Sequence, residues 1–229
     1  MDGTVKIKVL ELYELDKSSY AAICFDAMKE LSENSYLVND SESGDDKPIL
    51  ERNYILSMVF QMGKNAKDGS NFGTNVFPSG ENNKYICNHL EEIKNTYHDL
   101  YEKDLVISFE VIPDLVIHTS HNPKSGNCSS QFVAIEAKTT KHLGKVAFMR
   151  DFFKLNVYLC DLNYNNAIYL IVNTPKDKIE DFIRHYFNSS YFYKKYELGK
   201  LLFFIQENQN STPAVYKLTE DYINTIKEK

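Results

Sequence analysis

The chain has 229 residues, of which 43% are hydrophobic and 25% charged, so its composition is that of an ordinary globular domain able to bury a sizeable core. Its net charge of −6 argues against a surface coated in positive potential, although a local basic surface could still bind nucleic acid. Only three of the 26 basic residues are Arg (Arg52, Arg150 and Arg184), which leaves few side chains for bidentate recognition of guanine.

The cysteines and the apolar runs indicate the compartment. Cys24, Cys87, Cys128 and Cys160 form no CxxC pair, which argues against zinc-ribbon and iron–sulfur sites, and scattered thiols suit a reducing cytosol. The sequence has no run of 18 apolar residues and no N-terminal apolar signal segment. We therefore expect a cytoplasmic protein that makes no membrane contact.

Two helices are predicted in the N-terminal part of the chain. Residues 4–12 alternate as a strand does but could equally open a helix, whereas apolar residues recur at helical spacing over 18–31. The acidic, Ser-rich segment 39–46 is expected to be a solvent loop. Pro48 suits the first turn of a second helix, and this helix carries Glu51.

A polar stretch with four glycines follows, over residues 62–83. It is predicted to be a loop, and a loop of this length is usually functional or disordered. We expect it to contact the substrate if the protein acts on a nucleic acid. A helical pattern returns over residues 83–103.

The segment 105–138 predicts two strands, because two runs rich in β-branched and aromatic residues flank a turn-rich loop. Residues two apart on a strand share a face. Asp114 and His118 therefore share one face of the first strand, and Glu136 and Lys138 share one face of the second. Glu110 has the same parity as Asp114, which makes it a further candidate acid.

The other positions of both strands are apolar, so these charges would lie at the edge of a hydrophobic core. Two carboxylates there are costly unless a cation joins them. A divalent metal together with Lys138 would supply the positive charge. The sequence therefore predicts a site of two acids and one lysine.

The C-terminal half predicts alternating helices and strands. A helix over 145–162 carries Arg150 and Lys154 four residues apart, on one face. The remaining predicted elements are a buried strand over 167–172, a helix after Thr174-Pro175 to about Phe187, strands at 201–205 and near Val215, and a last helix from Thr219.

The pair Pro113-Asp114, followed by Glu136-Ala137-Lys138, resembles the signature of the PD-(D/E)xK nuclease superfamily, the fold of restriction endonucleases and archaeal Holliday-junction resolvases. The resemblance implies an α+β, three-layer α/β/α fold with a restriction-endonuclease-like αβββαβ core over residues 48–173. A single domain over 1–229 would then have an N-terminal helical addition, 1–47, and a C-terminal elaboration of strand and helix, 174–229.

The resemblance also implies a metal site. Asp114, Glu136 and the carbonyl of Ala137 would hold Mg²⁺, with Mn²⁺ as a substitute, and Glu51 would assist from the preceding helix. For Glu51, a solvated position near a helix N-terminus is the alternative. Lys138 would orient the metal-bound water or stabilise charge on the phosphate. Two nearby carboxylates favour its ammonium form, so it is better regarded as an electrostatic stabiliser than as a neutral base.

In the resembled fold, the helix after the catalytic strand often offers a basic or amide side chain to the scissile phosphate. Lys154 is the first candidate for substrate binding and Arg150 the second. The alternative for Lys154 is an ordinary helix pair with Asp151. His118 is more readily explained as a structural histidine than as a proton carrier.

We therefore expect a metal-dependent nuclease that hydrolyses phosphodiester bonds by a Mg²⁺-activated water, with DNA favoured over RNA as the substrate. One alternative is a catalytically silent nuclease-fold module that binds nucleic acid or a protein partner. Its weakness is that such a module has no need of all three of Asp114, Glu136 and Lys138. Another is an unrelated α+β protein with a chance motif. A homodimer that cuts both strands is left open.

Overall fold

The structure is a computed structural model that describes residues 7–33, 51–67, 76–80, 84–85, 110–111, 113–119, 131–188, 197–208 and 210–228. The strands are β1 (Leu10–Leu12), β2 (Val76–Gly80), β3 (Lys84–Tyr85), β4 (Glu110–Val111), β5 (Leu115–Thr119), β6 (Gln131–Lys138), β7 (Asn166–Val172), β8 (Leu201–Gln206) and β9 (Ala214–Leu218). The helices are α1 (Tyr20–Glu33), α2 (Glu51–Lys67), α3 (Lys145–Cys160), α4 (Lys176–Asn188) and α5 (Glu220–Lys227), with a short 3-10 helix at Leu198–Lys200.

Seven of the strands form one mixed sheet in the order β1-β9-β8-β7-β6-β5-β2. Strands β6, β7 and β8 run parallel, and the remaining neighbours pair antiparallel. Strands β3 and β4 form a separate two-stranded sheet. The protein is therefore of mixed α and β structure, as the sequence predicted.

The sheet is covered by helices on both faces. Strand residues alternate between two hydrophobic clusters: Val116 and Ala134 belong to the cluster that contains residues of α3, α4 and α5, whereas Leu115 and Ile135 belong to the cluster that contains residues of α1 and α2. The central strands are buried on both faces, which explains why β7 and β8 are nearly continuous runs of apolar residues.

An aromatic cluster fixes α3 against the sheet. The ring of Phe152 lies 5.4 Å from that of Phe148 on the same helix, 6.0 Å from Phe203 on β8, and 4.8 Å from Tyr186 on α4. Rings of this size dominate the packing energy of a core. Their packing sets the rotation of α3, and this rotation decides which of its polar side chains face β6.

Most of the predicted elements are confirmed, namely α1, the helix with Glu51, α3, β7, α4, β8, β9 and α5. Helix α5 follows Thr219, whose hydroxyl oxygen accepts a hydrogen bond of 3.2 Å from the Tyr222 N–H. The N-terminal alternation becomes the short strand β1. The acidic segment 39–46, Pro48 and residues 86–109 lie outside the described residues.

The prediction of a loop over residues 62–83 is wrong at both ends. Helix α2 continues to Lys67, because Met58 and Met62 face the core and the polar Asn65 donates a hydrogen bond of 3.0 Å to Glu30 on α1. Residues 76–80 form strand β2 although they include Pro78, which a strand tolerates at the edge of a sheet. The helix predicted from residue 83 is also wrong at its start, where β3 stands.

None of the described helices is long and apolar enough to cross a lipid bilayer.

We predict that Phe152→Ala lowers the free energy of unfolding by about 3–5 kcal/mol, because it leaves a cavity inside the aromatic cluster. Val146→Ala on the same helix is the control, since Val146 is 63% exposed and its truncation should change stability by less than about 0.5 kcal/mol. Urea denaturation followed by circular dichroism measures both. Equal effects of the two substitutions would contradict the packing described above.

Candidate functional site

The two motif acids face each other across neighbouring strands. The register of β5 and β6 pairs Leu115 with Ile135, which brings Asp114, just before β5, opposite Glu136. The Asp114 N–H donates to the Ile135 carbonyl at 3.0 Å, and Asp114 Oδ2 accepts the Ala137 N–H at 2.7 Å. The Asp114 carboxylate thus accepts the hydrogen bond of the Ala137 N–H in place of a backbone carbonyl of β5. This bond holds the carboxylate beside β6.

Glu136 is completely buried under α3. Its Oε1 accepts a hydrogen bond from the Tyr158 hydroxyl, and its Oε2 forms an ion pair with Lys154. Burial raises the pKa of Glu136 to about 8; Lys154 opposes the shift, while Asp114 and Asp151 add to it. This carboxyl therefore favours its neutral form unless more positive charge is supplied.

Lys138 connects the sheet to α2. Its Nζ donates to Glu51 Oε1 at 2.9 Å and Oε2 at 3.0 Å, and to the carbonyl oxygen of Ala137 at 2.9 Å. Nζ also lies 3.2 Å from Asp151 Oδ2. Burial alone would lower the pKa of Lys138, but Asp151, Glu51 and Asp114 outweigh it and raise that pKa. Lys138 is therefore held as an ammonium group.

Asp151 on α3 is the central residue that sequence reasoning missed. It is buried, and its carboxylate contacts both lysines, Lys138 at 3.2 Å and Lys154 at 3.6 Å. Its Oδ2 also accepts a hydrogen bond of 3.3 Å from the Tyr169 hydroxyl on β7. The signal available in the sequence is helical spacing, because residues 151, 154 and 158 lie three and four apart and share a face.

Lys154 forms the helix pair that was the alternative to substrate binding, and it has a second acidic partner on β6. It pairs with Asp151 three residues earlier on its own helix, and it also reaches across to Glu136 on β6. Lys154 therefore belongs to the site and not only to the surface of α3.

We call the six charged residues of this site the carboxylate cluster; they are Glu51, Asp114, Glu136, Lys138, Asp151 and Lys154. Its four acids and two lysines leave two excess negative charges when all are ionised. Burial raises the pKa values of Glu51 and Asp114 as well as that of Glu136, although the lysines counteract the shifts. The arrangement would be stabilised by a cation of charge +2.

The donor set suits a hard divalent cation. Mg²⁺ usually takes one or two carboxylates and completes its shell with water and substrate oxygens. Asp114, Glu136 and the carbonyl of Ala137 are oxygen donors close together at β5 and β6. Among the described residues, no three His, Cys, Asp or Glu side chains form a metal-binding group by themselves. Such a site would therefore depend on the backbone carbonyl and water as further ligands.

No contact among the described residues joins the other predicted candidates to the carboxylate cluster. Arg150 is exposed, and within the described residues no ion pair or hydrogen bond joins it to the cluster. Glu110 pairs with Tyr85 in the separate two-stranded sheet, so the expectation that it shares a strand with Asp114 is wrong. Pro113 lies between the two strands and has no N–H to donate to a neighbouring strand. His118 lies opposite Gln131, towards the other end of β6.

Comparison with known proteins does not identify a family. No protein-family model, no curated protein and no solved structure matches this chain. A functional assignment must therefore be argued from the carboxylate cluster and from the order of the elements that hold it.

We predict that, in EDTA, Glu136→Gln is more stable than the unchanged protein at pH 8 to 9, by at most about 5 kcal/mol, since one pKa unit corresponds to about 1.4 kcal/mol. The pKa of Glu136 rises on folding from 4.5 to about 8. Between these two pH values the folded state therefore keeps a proton on Glu136 that the unfolded state has lost. The stability from this group is therefore complete below pH 4.5 and is lost as the pH rises through 8.

Thermal unfolding between pH 5 and pH 9 measures this difference. Asp177→Asn is the control, because the side chain of Asp177 is 94% exposed and its charge is solvated. A Glu136→Gln variant that is less stable than the unchanged protein across the whole range would contradict the prediction.

Proposed function

We propose that this chain is a metal-dependent nuclease that hydrolyses phosphodiester bonds of nucleic acid, with DNA favoured over RNA. The observation that carries the proposal is the carboxylate cluster, in which Asp114 and Glu136 face each other across two strands beside Lys138. A surplus of two acids over lysines in a partly buried cluster is costly for stability, and a divalent ion with a phosphate substrate would offset this cost.

The order of the elements supports the same proposal. Along the chain, α2, β2, β5, β6, α3 and β7 follow one another, and the sheet holds these strands in the order β2-β5-β6-β7. The first three strands pair antiparallel, and β7 is parallel to β6. This is the order expected of the αβββαβ core of the PD-(D/E)xK superfamily, so we propose a restriction-endonuclease-like core for this chain.

The positions of the charged residues also agree with the resemblance. One acid precedes the second strand of this core, Glu136 and Lys138 lie on the third, Glu51 lies at the start of the preceding helix, and Lys154 lies on the following helix. A chance PD and ExK pair would not be expected to bring these side chains into one cluster.

The residues present fit Mg²⁺, which would be held by Asp114, Glu136 and the Ala137 carbonyl and would supply an activated water and charge neutralisation at the phosphate. Asp114 is oriented for this role by the Ala137 N–H. Glu136 is oriented by Tyr158 and Lys154 on α3.

The lysines would act through their positive charge. Lys138 is stabilised as an ammonium group by three carboxylates, so it is suited to stabilising negative charge on the phosphate and unsuited to accepting a proton. The Lys154 side chain is 20% exposed while its partner Glu136 is buried, so part of Lys154 is accessible from solvent. A substrate phosphate could reach it from that side.

We predict that Asp114→Asn and Lys138→Gln each reduce Mg²⁺-dependent cleavage at least about 100-fold, because each removes a group that holds the ion or stabilises the transition state. The assay uses labelled linear duplex, circular duplex, single-stranded DNA and RNA, with Mg²⁺, with Mn²⁺ and with EDTA. Asp177→Asn is the matched control for loss of an acid, and Lys227→Gln for loss of a lysine on an exposed face.

If both site variants cleave as fast as the unchanged protein, the assignment of the carboxylate cluster as the active site is wrong. Retention of nucleic acid by the unchanged protein, with no product at any Mg²⁺ or Mn²⁺ concentration, would instead favour the silent nuclease-fold module. A separate readout is the thermal shift on adding Mg²⁺, which the unchanged protein should show and Asp114→Asn should lack.

A further inference from the structure

The segment that joins β6 to the buried part of α3 is basic, although the chain as a whole is acidic. Residues 139–150 contain two Lys, one Arg and one His and no Asp or Glu, whereas the whole chain has a net charge of −6. All four of these side chains are exposed: Lys141, His142, Lys145 and Arg150. We call them the basic surface.

The basic surface is connected to the carboxylate cluster at both ends. Lys138, three residues before Lys141, and Asp151, next after Arg150, both belong to the cluster. A helix rises about 1.5 Å per residue, so Lys145 lies roughly 9 Å along α3 from Asp151. One strand of duplex DNA carries a phosphate about every 3.4 Å along its axis. The basic surface is therefore within a few phosphates of the cluster.

Two of these cations have no acidic partner among the residues that the structure describes. Some exposed lysines of the fold pair with acids, as Lys29 does with Asp26 and Lys200 with Glu197. Within the described residues, neither Lys145 nor Arg150 forms an ion pair with an acid. Their charge is therefore free to attract an external anion, and no internal pair has to be broken first.

The beginning of α3 adds to the positive potential. Gly144 provides no side-chain cap, and the first turn of α3 carries no acid. The N-terminal end of the helix dipole is therefore not neutralised by its own side chains. This contribution is secondary to the four basic side chains.

We propose that the basic surface of Lys141, His142, Lys145 and Arg150 binds the phosphate backbone of a nucleic-acid strand on the flank of the scissile bond. The inference rests on the proposed function for the identity of the substrate. It separates the two basic residues of α3 that the sequence grouped together: Lys154 lies inside the carboxylate cluster, and Arg150 lies on the flanking surface.

The test replaces Lys145 and Arg150 together by Gln and compares this with a matched pair, Lys8→Gln with Lys227→Gln. The control residues are also exposed and without an acidic partner in the described part of the chain, but Lys8 lies just before the edge strand β1 and Lys227 lies at the end of α5. Both double variants lose two positive charges. All four positions are exposed, so we expect the melting temperatures to remain within about 3 °C of the unchanged protein.

Binding is measured by fluorescence anisotropy in EDTA, where cleavage cannot occur and no divalent ion competes for phosphates. The probes are a labelled duplex, a single DNA strand and an RNA strand of equal length, each titrated at several KCl concentrations. The Lys145→Gln, Arg150→Gln variant should bind about 10- to 100-fold more weakly at 100 mM KCl. Its slope of log K against log[KCl] should be shallower by about 1.8 for duplex or 1.4 for single strands.

The control pair should retain the affinity and the slope of the unchanged protein. If both double variants bind equally weakly, the inference is overturned, because the effect is then one of net charge. If neither double variant binds more weakly than the unchanged protein, the inference is also overturned. If only the Lys145→Gln, Arg150→Gln variant binds more weakly and the unchanged protein does not cleave with any metal, the basic surface is supported and the nuclease proposal is contradicted. Cleavage with normal KM in the Lys145→Gln, Arg150→Gln variant would support the nuclease and overturn the surface.

Discussion

The site depends on an imbalance of charge in a partly buried cluster of side chains. Four carboxylates, Glu51, Asp114, Glu136 and Asp151, share two lysines between β5, β6, α2 and α3. Each acid has a specific hydrogen bond or ion pair, yet burial still raises the pKa of Glu136 to about 8. Pairing within the chain is thus insufficient to keep every acid charged. The divalent cation that we propose would supply the missing positive charge.

The hydrophobic core has to keep these charges together against that repulsion. Helix α3 contributes Phe148 and Phe152 to the core and, on another part of its circumference, Asp151 and Lys154 to the cluster. Its rotation is fixed by the aromatic packing, because turning the helix would expose large rings to water. The apolar contacts therefore determine which polar groups meet, and the fold supplies the energy that the charge arrangement costs.

Sequence patterns predicted the parts of this arrangement that depend on local structure. The period of two along strands brought Asp114, Glu136 and Lys138 to the same face, and helical spacing gave α3 and the position of Lys154. Sequence spacing predicts only that Asp151 neighbours Lys154 on the helix. Its contacts with Lys138 and Tyr169 arise from the rotation of α3 over β6 and β7, which the spacing does not reveal. Strand β2 was missed because VFPSG has little strand propensity and is held by pairing with β5.

The separation between buried and exposed charge explains how an acidic chain could accept an anionic substrate. At physiological ionic strength the field of a solvated charge decays over about 8 Å, so acids on distant faces contribute little at the basic surface. The acids of the cluster lie close by, but Lys138, Lys154 and the proposed ion would neutralise their charge. A strand that follows Lys145 and Arg150 would therefore meet positive charge first and would approach the acids only where the ion neutralises them. The local arrangement of charges, and not the net charge of −6, would decide whether the proposed substrate is attracted.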